Sequence, residues 1–167
     1  MYERILVPLD GSQLGEAALP YVEGLVTLLC PAKKVEVTLL QVVSSLVHYV
    51  IAGEASAQIP YTEKEAELIK RQAAAYLEKV AERLKSCGAT VNIKVTLGNA
   101  AAGIISVADE ISADLIAMST HGRSGLSKWV FGSVAEKVLR GARVPILMVR
   151  APRSNPEAAS CSSYNEV

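Results

Sequence analysis

The sequence predicts an α/β fold, in which a mostly parallel five-stranded sheet is covered by helices on both faces. Short apolar, β-branched runs alternate along the chain with segments whose apolar residues recur at helical spacing. Apolar residues make up 50% of the chain and aromatic residues only 5%, so the core must be built from aliphatic side chains. A chain of 167 residues is typical of one domain and can bury a sizeable core without disulfide bonds.

Five segments are predicted as strands. The run that ends at Asp10 and the run around Ile116 are continuously apolar, as expected for strands buried on both faces. Residues 90–97 instead alternate in polarity, which is typical of a strand with one exposed face. The predicted strands cover residues 4–9, 35–43, 90–97, 114–119 and 144–149.

Four segments are predicted as helices by the spacing of their apolar residues. Ser12 is a candidate cap for the first helix, in which Tyr21 would face the core and Pro20 would introduce a kink. In the second helix Glu67 is placed to meet Arg71 one turn later. The predicted helices cover residues 14–26, 66–84, 100–112 and 133–140.

Two segments fit neither pattern. Residues 44–62 have no clear period and contain Gly53 and Pro60, so we predict a long loop that is functional or mobile. Residues 151–167 are rich in Ser, Pro and Ala, and we predict a flexible C-terminal tail outside a domain that spans residues 1–150.

Composition argues against several functional classes. The 17 basic and 17 acidic residues balance, which disfavours binding to nucleic acid or membrane through an overall field. No apolar stretch approaches the roughly 18 residues of a membrane helix, and the start lacks a signal-peptide pattern. Cys30, Cys87 and Cys161 are widely spaced, which favours inert thiols in a reducing cytoplasm over a disulfide framework or a zinc site. We therefore expect a cytoplasmic protein with no nucleic-acid or membrane partner.

Two polar strand ends form the candidate binding site, because ligands of open parallel sheets bind at the carboxyl ends of strands. Asp10-Gly11-Ser12 follows the first strand, and Ser119-Thr120-His121-Gly122 begins at the last residue of the fourth. Three glycines lie between residues 122 and 132, and Gly132-Ser133 opens a helix whose amides and dipole favour an anion. The residues alone leave two interpretations open, a phosphate-binding loop or a surface loop with turn glycines and a serine cap.

The sequence offers no convincing catalytic set. Asp10 could accept hydrogen bonds from a ribose, hold a metal that bridges phosphates, or serve as a turn or capping residue. His121 has no identified partner that would make it a general base. A Walker A sequence, a G-x-G-x-x-G motif and a G-x-S-x-G elbow are all missing from the sequence.

Several fragments, in this order along the chain, resemble the universal stress protein family over about residues 2–150. The ATP-binding branch of that family carries G-x-x-G, nine residues, and then G-[S/T]. Here nine residues separate Gly122 from Gly132-Ser133, and Ser119 stands where the pattern has its first glycine. The fragments are Ile5-Leu6-Val7-Pro8-Leu9-Asp10-Gly11-Ser12, Ala113-Asp114-Leu115-Ile116-Ala117-Met118, Ser119-Thr120-His121-Gly122-Arg123-Ser124-Gly125, Gly132-Ser133-Val134-Ala135-Glu136-Lys137-Val138 and Val144-Pro145-Ile146-Leu147-Met148-Val149-Arg150.

The resemblance implies a homodimer of Rossmann-like, adenine-nucleotide α-hydrolase-like subunits with strand order 3-2-1-4-5. The fifth strands, residues 145–149, would pair across the twofold axis. The resemblance places a ribose on Asp10, which could also approach a nucleotide-bound Mg²⁺, and it places adenine on the backbone of Val42. The residues implied to surround the nucleotide are Pro8, Leu9, Asp10, Val42, Met118, Ser119, Gly122, Arg123, Gly132, Ser133 and Val134.

Together these inferences predict a cytoplasmic stress-response or regulatory protein that binds ATP or AMP at the ends of the first and fourth strands. Binding rather than catalysis is expected, with at most weak ATP hydrolysis. One alternative is a slow Mg²⁺-dependent ATPase that uses Asp10. Another is a nucleotide-independent dimeric scaffold whose loop 44–62 or tail engages an unknown protein partner.

Overall fold

A five-stranded parallel sheet with helices on both faces organises the chain. The computed structural model describes residues 2–43, 47–52, 55–60, 62–120 and 132–150, and for 47–52 and 55–60 it describes the backbone alone. The strands are β1 (Arg4–Pro8), β2 (Glu36–Val43), β3 (Val47–Ala52), β4 (Ala55–Pro60), β5 (Thr90–Leu97), β6 (Leu115–Ser119) and β7 (Ile146–Val149). The helices are α1 (Leu19–Leu29), α2 (Glu63–Ser86), α3 (Ala100–Glu110) and α4 (Ser133–Gly141), and a 3₁₀-helix (Gly15–Ala18) precedes α1.

The strand order in the sheet is β5-β2-β1-β6-β7, and every pairing is parallel. Counted over these five strands, this is the order 3-2-1-4-5 that the family resemblance implies, so the predicted fold class is confirmed. From β1 the chain adds strands first on one side and then, from β6, on the other. The carboxyl ends of β1 and β6 therefore flank the crevice where such sheets bind ligands.

Alternate side chains of the central strands enter two separate hydrophobic layers, because successive residues of a strand point to opposite faces. Ile5 and Leu39 lie in a layer with residues of α1 and α2, and both are fully buried. Leu6 and Leu40 lie in the opposite layer with residues of α3 and α4, and they too are fully buried. The sheet is thus covered on both faces, which explains the continuous apolar character of β1.

Residues 44–62 contain two strands where the sequence predicted a long loop. β3 and β4 pair antiparallel, from Val47 opposite Pro60 to Ala52 opposite Ala55. Residues 47–51 are rich in β-branched and aromatic types, which favour strands. The absence of a clear alternation of polarity concealed them, so the loop prediction is wrong for residues 47–52 and 55–60.

The entry to the first helix also differs from the prediction. A 3₁₀-helix occupies Gly15–Ala18, and Pro20 lies in the first turn of α1, where its missing N–H is tolerated, rather than inside the helix as the kink prediction assumes. Tyr21 is 58% exposed rather than facing the core. A 3₁₀-helix has three residues per turn, so it shifts the phase of the apolar spacing that begins at Leu14.

Local interactions explain where α2 begins and ends. The Thr62 hydroxyl accepts from the backbone N–H of Glu65 at 3.3 Å, and the Glu65 carboxylate accepts from the backbone N–H of Thr62 at 2.8 Å. At the other end Gly88 adopts a φ of +98°, a conformation that favours glycine and ends the helix. The expected pair of Glu67 and Arg71 is present at 3.5 Å on the exposed face.

No helix in the described ranges is both long enough and apolar enough to cross a membrane. Cys30 and Cys87 are half-buried free thiols at the ends of α1 and α2, and Cys161 lies outside the described residues. The proposed domain boundary at residue 150 stays a prediction.

Asp114, at the start of β6, accepts hydrogen bonds from the backbone at the start of β1. Replacing it with the isosteric asparagine tests how much its negative charge contributes to stability. Its Oδ2 accepts from the backbone N–H groups of Glu3 (3.1 Å) and Arg4 (2.9 Å). Burial raises the pKa of Asp114, but those two hydrogen bonds and the Arg4 charge outweigh burial and lower it overall. We expect Asp114→Asn to lose about 1 kcal/mol of unfolding free energy at neutral pH, since charged hydrogen bonds are the stronger ones.

The loss in Asp114→Asn should depend on pH with a definite sign. A depressed folded-state pKa stabilises the protein above the unfolded pKa of about 4, and that stabilisation is lost as the pH falls through the folded value. Urea unfolding of both proteins at pH 7 and at acid pH measures the difference, which we expect to shrink on acidification. A difference that stays constant below about pH 4 would contradict the assigned role of the charge.

Candidate functional site

Asp10 lies in a hydrogen-bonded turn directly after β1. Its Oδ1 accepts from the backbone N–H of Ser12 at 3.0 Å and from the Ser12 hydroxyl at 2.6 Å. Gly11 between them has a φ of +80°, a conformation that favours glycine. Asp10 is thus the turn aspartate that the sequence allowed, and the turn fixes its carboxylate at the carboxyl edge of the sheet.

Gly15, which is not among the predicted site residues, completes this turn. Its backbone N–H donates to the Ser12 hydroxyl at 3.0 Å, so Ser12 joins the start of the 3₁₀-helix to Asp10. A Cβ at Gly15 would overlap Asp10 Oδ1. The available signal was a glycine five residues after a strand-end aspartate, inside a segment that otherwise has helical spacing.

Helix α2 contacts the residue that follows this glycine. The Tyr76 hydroxyl donates to Glu16 Oε1 at 2.9 Å, and Arg83 Nη1 lies 3.8 Å from Glu16 Oε2. Burial is the largest cause that raises the pKa of Tyr76, followed by the hydrogen bond to Glu16, the Glu16 charge and the Asp10 charge, while Arg83 lowers it. Tyr76 therefore stays protonated at neutral pH and keeps its donor for Glu16.

Backbone hydrogen bonds bring the start of α4 to the end of β6. The N–H of Gly132 donates to the Thr120 carbonyl at 2.8 Å, and the N–H of Thr120 donates to the Val149 carbonyl at 2.9 Å. Ser119 and Thr120 are 8% and 6% exposed, so two polar side chains are buried at this strand end. Gly132, rather than Ser133, is the N-cap residue, and Ser133 is the exposed first residue of the helix.

The remaining predicted site residues that the structure describes lie at the same carboxyl edge, but Leu9 and Met118 are buried in the core layers. Leu9 is 4% exposed in the layer of α1 and α2, and its N–H donates to the Leu40 carbonyl at 2.8 Å. Met118 is 5% exposed in the opposite layer, against which Val134 packs. Pro8 is half-buried at the end of β1. His121, Gly122 and Arg123 lie outside the described residues.

Val42 lies at the end of β2, where α3 approaches closely. A Cβ at Gly103 would lie 3.1 Å from Val42 Cγ2 and 3.5 Å from Thr96 Oγ1, so the glycine permits this close packing. The Val42 side chain packs on the layer of α3 and α4. Two residues before Val42, the Leu40 carbonyl accepts a hydrogen bond from the N–H of Leu9, which follows the end of β1. The Val42 backbone therefore lies close to the carboxyl end of β1.

Asp10 is the one carboxylate among the predicted site residues. Among the described residues no group of three or more His, Cys, Asp or Glu side chains could hold a metal ion. Asp10 is a single carboxylate, and Mg²⁺ at such sites is bound by one or two carboxylates together with substrate phosphates and water. The described donors thus fit a cation carried by a phosphorylated ligand better than a dedicated metal centre.

Comparison with known proteins identifies relatives over nearly the whole chain. Residues 1–150 match the universal stress protein family. Universal stress protein MJ0531 of Methanocaldococcus jannaschii is 30% identical over 155 residues, which cover 92% of this chain and 85% of that protein. Universal stress protein MJ0577 of the same organism is 29% identical over 163 residues. The solved structure of MJ0577 superposes with a TM-score of 0.72 at 26% identity and covers 92% of this chain and 99% of that one.

Two other solved structures of similar fold contain nucleotides. The universal stress protein from Archaeoglobus fulgidus in complex with dAMP has a TM-score of 0.60 at 18% identity, covering 89% of this chain and 98% of that one. A family protein from Arabidopsis thaliana with AMP bound has a TM-score of 0.59 at 13% identity, covering 98% of this chain and 99% of that one. The sheet order, the match over residues 1–150 and the curated relatives agree, and the chain belongs to the universal stress protein family.

Proposed function

We propose that this universal stress protein is a cytoplasmic regulatory protein that binds an adenine nucleotide, AMP or ATP, in the crevice between the ends of β1 and β6. The observation that carries the proposal is the pairing of two features at adjacent strand ends. The Asp10 carboxylate is held by the turn after β1, and the start of α4 is bonded to the end of β6. Nucleotides bound to family members from Archaeoglobus fulgidus and Arabidopsis thaliana support the choice of ligand.

Each feature suits a different part of a nucleotide. A carboxylate that is already oriented can accept hydrogen bonds from ribose hydroxyls, and such charge-assisted bonds are the stronger kind. The first N–H groups of a helix have no partner within the helix, and the positive end of the helix dipole favours phosphate. In the proposal, Asp10 therefore holds the ribose, the backbone of Val42 meets adenine, and Gly132, Ser133 and Val134 border the phosphates.

The other residues of the proposed site rest on the sequence. Gly122 and Arg123 would complete the phosphate loop through the family spacing that ends at Gly132-Ser133. Pro8, Leu9, Met118 and Ser119 would line the nucleoside pocket, which requires the buried Leu9 and Met118 to present their backbone or to move. A Mg²⁺ ion would reach the site on the phosphates, with Asp10 as its one described carboxylate candidate.

Binding, not hydrolysis, is the proposed activity. Phosphoryl transfer needs a group that positions the attacking water as well as bound metal. The sequence offers only Asp10 and His121 as candidates for that work. Sustained phosphate release by the pure protein with Mg²⁺ and ATP, abolished in Asp10→Ala, would favour the ATPase alternative.

Titration calorimetry with AMP and with ATP tests the proposal. We expect saturable binding by the wild-type protein and a dissociation constant raised about tenfold in Asp10→Asn, because a charged acceptor for the ribose becomes a neutral one. Asp109→Asn makes the same chemical change at an exposed position near the end of α3 and should bind like the wild type. Absence of binding at millimolar nucleotide would overturn the proposed function.

The proposed functional unit is a homodimer joined through the β7 edges. Within the described sheet β7 pairs only with β6, and Ile146, Leu147 and Met148 are half-buried. An edge strand of this kind presents unpaired backbone groups that a second copy could bond. Sedimentation velocity at micromolar concentration is expected to give a dimer, and a monomer across the concentration range would contradict this assembly.

A further inference from the structure

Tyr76, on helix α2, is linked to the Asp10 turn by a short path of contacts. Its hydroxyl donates to Glu16 Oε1 at 2.9 Å, across 60 residues of sequence. Glu16 is held from a second direction by Arg83, whose Nη1 lies 3.8 Å from Oε2 and whose Nη2 lies 2.8 Å from Glu23 Oε1. Helix α2 therefore fixes Glu16 with two side chains.

Glu16 is also bonded directly to the turn. Its backbone N–H lies 3.2 Å from the Ser12 carbonyl, and Ser12 donates both its N–H and its hydroxyl to Asp10 Oδ1. The residue before it, Gly15, is packed so closely on Asp10 that a Cβ would overlap the carboxylate oxygen. A displacement of the Glu16 backbone would move Gly15 or Ser12, and we expect either movement to change the orientation of the Asp10 carboxylate.

We infer that Tyr76 is a positioning residue for the nucleotide site, which it serves by holding Glu16 and, through Glu16, the orientation of Asp10 toward the ribose. The ligand side of this inference rests on the proposed function, whereas the link from Tyr76 to Asp10 rests on contacts within the protein. Through these contacts, helix α2 stabilises the proposed site from outside the two strand ends that would bind the nucleotide.

The hydrogen bond from Tyr76 to Glu16 is expected to persist over the neutral pH range rather than to act as a pH switch. The burial and the negative charges around Tyr76 all favour its protonated form, so the donor persists across the neutral range. The competing interpretation is that the Tyr76–Glu16 hydrogen bond only fastens the 3₁₀-helix before α1 to α2. A bond of that kind would change stability and would affect every ligand equally.

A comparison of two ligands separates these interpretations. We expect Tyr76→Phe to raise the dissociation constant for AMP about three- to tenfold, the loss typical of one hydrogen bond. The dissociation constant for 2′,3′-dideoxy-AMP, which lacks the ribose hydroxyls, should stay within about twofold of wild type. Tyr21→Phe removes the same hydroxyl from an exposed tyrosine and serves as the matched control. Equal losses for both ligands, or no loss for AMP, would overturn the positioning role.

A second measurement tests the link without any nucleotide. Amide hydrogen exchange of Ser12 and Gly15, followed by NMR, is expected to accelerate in Tyr76→Phe and to stay unchanged in Tyr21→Phe. Unchanged exchange at both amides in Tyr76→Phe would overturn the link even if AMP binds. Failure of the wild-type protein to bind AMP would contradict the proposed function instead, and the exchange rates would still decide whether Tyr76 orders the turn.

Discussion

Gly15→Ala is expected to raise the dissociation constant for AMP at least about tenfold, because the new Cβ would overlap the Asp10 carboxylate. The carboxylate cannot move without losing the hydrogen bonds that it accepts from the N–H and hydroxyl of Ser12. The cost in stability should be smaller, about 1–2 kcal/mol, since the turn lies at the half-exposed edge of the sheet. Titration calorimetry and urea unfolding of the same preparation measure both effects.

Gly24→Ala provides the matched control. Gly24 lies within α1, and a Cβ there would meet nothing within 4 Å. We expect unchanged AMP binding and up to about 1 kcal/mol of added stability, because alanine favours a helix interior over glycine. If Gly15→Ala bound AMP like the wild type, the Asp10 turn would not be part of the nucleotide site.

Leu77→Ala is expected to lose about 2–5 kcal/mol of unfolding free energy. Leu77 is fully buried in the layer between the sheet and helices α1 and α2, together with Leu39 and Leu84. Removing its branched end loses transfer free energy and leaves a cavity that close-packed neighbours fill only in part. A loss of this size is a large part of the 5–15 kcal/mol that is typical of a whole domain.

Leu68→Ala makes the same substitution on the same helix at a residue that is 56% exposed. Its unfolding free energy should stay within about 0.5 kcal/mol of wild type. Urea denaturation followed by circular dichroism measures both variants. A loss below about 1 kcal/mol in Leu77→Ala would contradict the packing of α2 against the sheet.

The parallel sheet and the location of its polar edge could be predicted from the sequence, because each depends on local patterns. The continuous apolar run before Asp10 indicates a strand buried on both faces. Asp10 directly follows this run, and Ser119 ends another strand-like run. The order of the strands does not follow from such patterns, and it came from the resemblance to the family. The ribose, adenine and phosphate contacts stay predictions.

The features that escaped prediction depend on packing between segments distant in sequence. The overlap between a Gly15 side chain and Asp10 exists only because the 3₁₀-helix folds back onto the turn. Tyr76 contacts Glu16, which lies 60 residues away in the sequence and has no sequence signal. Pro20 and Tyr21 were misplaced because a regular α-helical period was assumed from Leu14 onward.

Strand β5 lies at the edge of the sheet and is therefore a place where copies of the protein could associate at high concentration. Within the described sheet it is the strand opposite β7, paired on one side alone, with Ile93 38% and Leu97 40% exposed. Such an edge invites a neighbouring chain to add a strand and begin an aggregate. Lys94 lies between these apolar residues and pairs with Glu110 of α3. Charged side chains on edge strands, lysine above all, disfavour pairing with another chain, so we expect Lys94 to oppose such aggregation.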